Sequence, residues 1–182
     1  MRKASSAILL LAAAAVLPGC NSKLKPTSAN YTAVMNAYFV EHPDCLLSGG
    51  TRFPYEAGEK DPQGPTQQQM DALAAAKLVE AKREPAIHIS RYTLTPEGTR
   101  LAPRFCFGHR VVTAIDSSTP PASANGFTET EVHYHFKIDD VPVWAKSAEI
   151  RAAFPKFAEE TSGQAEGKIT LALTGVGWSV PD

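Results

Sequence analysis

His133 and His135 are the sharpest chemical feature of the sequence. They lie in a stretch where Val132, Tyr134, Phe136 and Ile138 alternate with polar residues. On a β-strand, residues two apart share a face, so the two imidazoles could meet one metal ion. His109, from a neighbouring alternating stretch, or His88 could supply a third ligand. The same alternation turns the apolar set inward and leaves both imidazoles on the wet face, where His, Lys and Thr are ordinary. No Asp or Glu stands at a spacing that completes the ligand set. His133, His135 and His109 are therefore metal candidates without a completed site, and no cofactor is assigned.

Catalytic patterns are scarcer still. The chain has no Gly-x-Ser-x-Gly and no His-Glu-x-x-His, so neither a nucleophile elbow nor a hydrolytic zinc is signalled. Asp139-Asp140 follows Ile138 and precedes Pro142, which reads as a turn rather than an acid/base pair. Trp144 and Trp178 fit a ligand groove or, more commonly, a core. The expectation is a protein that is not an enzyme.

The amino terminus carries an address. Met1-Arg2-Lys3 is a basic head, and Ala7 to Val16 is an unbroken apolar run. That run is too short for a bilayer span of about 20 residues and fits the core of a signal peptide. It ends at Leu17-Pro18-Gly19-Cys20, which resembles the lipobox of bacterial lipoproteins. Pro18 stands where that family has a small or hydroxyl residue. The resemblance implies cleavage after residue 19 and a lipid on Cys20, with two or more acyl chains giving stable membrane anchoring. Asn21 follows the cysteine instead of the aspartate that favours inner-membrane retention in enteric bacteria. The implied destination is the outer membrane, facing the periplasm. Residues 1–19 then form the signal peptide, residues 20–30 a polar lipidated tether, and residues 31–182 a single domain.

Two consequences follow from that division. With Cys20 used for lipid, Cys45 and Cys106 remain as a pair in an oxidising compartment, where a disulfide is expected. Losing Arg2 and Lys3 leaves 16 basic against 19 acidic side chains, a formal charge of −3 on 163 residues. The whole chain is also near neutral, at −1 over 182 residues. Neither value gives the basic footprint of a nucleic-acid binder, and the anchor must be the lipid rather than a basic patch.

The periodicities predict the elements that would position these residues. Tyr31, Val34, Met35, Tyr38 and Phe39 form a helical stripe with Ser28 as N-cap and Pro43 as the stop. Residues 44–65 hold Gly and Pro throughout and read as an irregular loop. Thr66 and Gln69 form a capping box opening a helix expected to reach about Lys82. Strands are expected from Ala86, over residues 105–115, over 132–138 and over 168–176, the middle two pairing as a long antiparallel hairpin across a Ser117–Gly126 loop. A short helix is expected from Ser147 to Phe154, ended by Pro155. The fold class is α+β, with amphipathic helices packed on one face of an antiparallel sheet of about four strands.

Gln69 to Leu101 is similar to the helix-to-wing segment of winged-helix DNA-binding domains, through its helix, its following strand and Leu94-Thr95-Pro96-Glu97-Gly98. The export signal and the missing basic excess argue against DNA as partner, so that segment implies a local shape and not that function. The function expected is a non-enzymatic envelope lipoprotein whose periplasmic domain binds a protein or envelope component, with an inhibitor or immunity-type role as one form. The other reading is a metal-binding protein using His133 and His135.

Overall fold

A computed structural model describes residues 22–57, 64–84, 89–163 and 165–181. The signal peptide, Cys20 and His88 lie outside the described residues. The fold is α+β, with antiparallel pairing throughout and two sheets. Among the described residues the larger has six strands and the smaller three, so the expected sheet of about four strands is corrected on both counts.

Helix α1 (Ser28–Glu41) buries Tyr31, Met35 and Phe39, three members of its predicted stripe. Its cap is Thr27, one residue earlier than expected, because the Thr27 hydroxyl accepts from the Asn30 amide. Strand β1 is Asp44–Cys45, and β2 (Tyr55–Ala57) rises from the Gly/Pro-rich segment. Helix α2 (Gln67–Ala75) has both halves of the Thr66–Gln69 capping box. It ends seven residues short of Lys82: Lys77 turns to φ 60° and Val79–Glu84 becomes strand β3. Strand pairing with β4 (Ile89–Leu94) has overridden the helical stripe there.

Helix α3 (Pro96–Leu101) follows, and its helical nature was not read from the sequence. Leu94-Thr95-x-x-Gly98 has a physical role here. The Thr95 hydroxyl accepts from the Gly98 amide, and its oxygen lies 2.8 Å from the Lys77 carbonyl and 3.1 Å from that of Leu78. A Cβ built on Gly98 would lie 1.8 Å from the Leu78 carbonyl oxygen. Gly98→Ala is therefore expected to cost about 2 kcal/mol in denaturant unfolding, the overpacking range for a backbone neighbour that cannot swing aside. An unchanged midpoint would show that α3 is free to slide.

The larger sheet is built on a long hairpin of β5 (Cys106–Ser118) and β7 (Phe127–Asp139), as the alternation predicts. Half of the expected Ser117–Gly126 loop is strand. Ser118 pairs with Val132, Pro120-Pro121 interrupts the lane, and β6 (Ala122–Ala124) resumes pairing with β7 up to the Asn125-Gly126 turn. Strands β8 (Ala165–Thr174) and β9 (Gly177–Ser179) complete the order β1-β5-β7-β8-β9. Pro155 stands just past the end of the expected short helix, whose last residue is Ala153. It opens α5 (Pro155–Glu160) directly after α4 (Ala148–Ala153), since proline suits a first helical turn.

Helix α1 lies on β5 and β9, α5 reaches β8, and α4 bridges to α2, all on one side of the large sheet. Val132, Tyr134, Phe136 and Leu171 are buried beneath them. The smaller sheet, ordered β2-β4-β3, sits beside α2. The segment Gln69 to Leu101 departs from the helix-then-strand shape implied for it, since Val79–Glu84 is already strand and Pro96-Glu97-Gly98 opens a helix. Residues 22–30, read as tether, lie on the domain. Ser22–Leu24 forms a 3-10 turn against β9, Asn30 donates to the Ser22 and Lys25 carbonyls, and the Trp178 indole donates to the Lys25 carbonyl.

Candidate functional site

Polar side chains gather in three places on the fold. The first is the open face of the large sheet, where β7 presents Glu129, Glu131, His133, His135, Lys137 and Asp139 in sequence. His133 Nε2 lies 3.0 Å from Glu131, which also faces Lys168 at 3.5 Å. His135 Nε2 lies 3.2 Å from Asp116 across the strand, with Glu166 at 3.9 Å on the other side. The hydrogen bond from His133, aided by Lys168, holds the Glu131 carboxyl below its usual range. His109 is four pairs further along, beside Asp139 in register and 3.7 Å from Asp140. The fold puts His133 and His135 on one face, as their spacing predicts, and keeps His109 away from them. Among the described residues, no group of three or more His, Cys, Asp or Glu is placed to hold a metal ion. Asp140, at φ 60°, leaves β7 into the turn.

The second grouping surrounds Arg110. Arg110 points inward from β5 and forms a fork with Asp44, Nε and Nη2 each 2.9 Å from a carboxylate oxygen. Nη2 also donates to Glu160 at 2.9 Å, and Nη1 reaches the Tyr134 hydroxyl at 3.4 Å. The guanidinium lies 4.5 Å from the Phe136 ring centre and 5.7 Å from that of Phe39. Burial disfavours its charge, but the bonds to Asp44 and Tyr134 more than offset this, and its pKa moves up. Burial raises the Glu160 carboxyl, with Arg110 pulling the other way.

A pocket of about 190 Å³ opens beside the cluster, lined by Asp44, Gln69, Phe107, Phe157 and Glu160 among others. Its chemistry is closed. Two carboxylates meet Arg110, Lys156 adds a second cation 3.7 Å from Glu160, and the local charge sums to zero. The arrangement locks β1, β5 and α5 together.

Sequence alternation missed Arg110 because the parity changes inside β5. Phe105 and Phe107 are buried, then Gly108 at φ 135° introduces a bulge, after which Val112 is buried instead of Val111. The Asn36 side chain accepts from the Val112 amide, satisfying the backbone where the register shifts again. A lone glycine inside an alternating run was the available signal.

The third grouping is the small sheet. Glu80, Ala81, Lys82 and Arg83 of β3 are all exposed, so this strand shows solvent on both faces although it pairs with β4. Its helix-facing side is held by polar contacts: Arg83 meets Asp71 at 3.2 Å, and the buried Tyr92 hydroxyl donates to Asp71 at 2.8 Å. Burial and that acceptor push the Tyr92 phenol up to about 12. The outward side carries Lys82 opposite Arg91, and Arg91 is paired with Glu56 of β2 at 2.7 Å. Cys45 and Cys106, opposite each other on β1 and β5, are joined as the expected disulfide at the root of this excursion.

These features define an α+β domain with a disulfide-rooted, three-stranded arm. Comparison of the chain with protein-family models, with curated proteins and with solved structures gave no match.

Proposed function

We propose that this protein is a lipid-anchored envelope protein, held in the outer membrane through Cys20 and facing the periplasm, that binds a protein partner through its small sheet. The observation that carries this reading is the exposure of β3 on both faces. Beyond Val79, which joins the core, β3 buries little side-chain surface, so its charged ribbon is open to recognition. Glu80, Lys82, Glu84, Arg91 and Glu56 mix both signs on one surface, which suits a polar protein interface and not a phosphate backbone. An inhibitor or immunity-type role is one form of such binding.

The test uses the full chain in its native envelope. A photo-crosslinking residue at Lys82 is expected to give a discrete protein adduct, while the same residue at Lys137, on the open face of the large sheet, gives none. Adducts at Lys137 alone would overturn the assignment to the arm. Cys20→Ser is expected to move the protein from the membrane to the soluble fraction. Continued membrane association would overturn the lipid anchor.

A further inference from the structure

Two large apolar side chains stand exposed at one end of the large sheet. Val176, in the β8–β9 turn, is 86% exposed and Phe127, at the start of β7, is 54% exposed. Thr128 pairs with Leu173, so Phe127 lies one position further along, beside the end of β8 and its turn. The amino-terminal end of the described chain is held at this same place. Lys23 lies 3.5 Å from where a Cβ on Gly177 would sit, and Lys25 accepts from Trp178 through its carbonyl. The side chains of Lys23 and Lys25 are exposed there.

Cys20 precedes Ser22 by only two residues. A chain spans at most about 3.6 Å per residue, so a lipid on Cys20 emerges within roughly 7 Å of Ser22. We propose that the end of the sheet formed by Val176, Phe127 and Lys23 rests on the membrane surface, making the lipoprotein a docked rather than freely tethered domain. This rests on the lipid-anchor reading above. Exposed valine and phenylalanine enter the interfacial region, while the two lysines meet anionic headgroups. Strand β7 then runs away from the membrane for about 40 Å at about 3.4 Å per residue. It carries β1, the disulfide and the small sheet to the distal end, where the binding arm faces the periplasm.

Val143 supplies the control. It is as exposed as Val176, at 86%, but lies just beyond Asp139 at the opposite end of β7. Spin labels on Val176→Cys and Val143→Cys in the lipidated protein, reconstituted into phosphatidylethanolamine–phosphatidylglycerol vesicles, report local solvent by collision with oxygen or a water-soluble nickel chelate. The oxygen-to-nickel ratio is expected to be several-fold higher at 176 than at 143. It is expected to be equal at the two sites in lipid-free protein carrying Cys20→Ser. Mass analysis of the amino-terminal peptide fixes the acylation of Cys20 in the same sample. Acylated Cys20 with equal ratios in vesicles overturns the docked end alone; an unmodified Cys20 overturns the anchor and the docking together.

Discussion

Arg110→Ala is expected to destabilise the protein by about 4 kcal/mol, because removing one partner of a buried ionic cluster leaves uncompensated charge. At a chain of this size that corresponds to a fall in Tm of about 8–16 °C. The guanidinium side chain is 19% exposed and its partners Asp44 and Glu160 are 19% and 11% exposed, so water does little to screen what remains. The loss should depend on pH in a defined direction. Burial raises the folded-state pKa of Glu160 above its unfolded value, so its protonation favours folding in acid, and that contribution fades as pH rises through the folded pKa. Without Arg110 the carboxyl is raised further. The deficit of the variant is therefore expected to narrow between about pH 7 and about pH 4.5, where ordinary carboxyls take up protons. Urea unfolding of both proteins at the two pH values measures it. A deficit of unchanged size in acid would assign the loss to the packing of Arg110 between Phe39 and Phe136 instead.

The sequence made the long hairpin, the first two helix starts and the disulfide partners legible, because each is encoded locally or by arithmetic. Thr66 and Gln69 cap one another regardless of tertiary context, and thirteen-residue strands keep an alternation long enough to read. What was not legible depends on partners distant in the chain. Residues 79–82 have helical periodicity and become strand only because Ile89–Leu94 folds back on them. Arg110 sits inward only because Gly108 shifts the parity, and its carboxylates come from positions 66 residues before and 50 after it. The sites divide the same way. Placing His133 and His135 on one face needed only a period of two. The same period places Glu131 beside His133, whereas the carboxylates beside His135, Asp116 and Glu166, needed the register of β5 and β8.

The largest single loss outside the Arg110 cluster should come from the disulfide. Cys45→Ala with Cys106→Ala opens a loop closed over 61 positions, for which chain entropy gives about 4 kcal/mol. That loop contains β2, α2, β3, β4 and α3, so it frees almost the entire small-sheet module from the root of the large sheet. Strand β1 is only two residues long, and one of them is Asp44, the fork partner of Arg110. The crosslink and the ion cluster therefore hold the same short strand, and their losses should not add. In an Arg110→Ala background, the disulfide keeps an unpaired Asp44 against the buried face. Removing it there lets Asp44 reach water, which offsets part of the lost crosslink. The cost of the double cysteine replacement is therefore expected to be smaller in the Arg110→Ala protein than in the parent, by about 1 kcal/mol or more, as for residues that share one network. Urea unfolding of the four proteins closes the cycle. Additive losses would show that β1 stays in place without its crosslink, and that Arg110 and the disulfide brace separate parts of the fold.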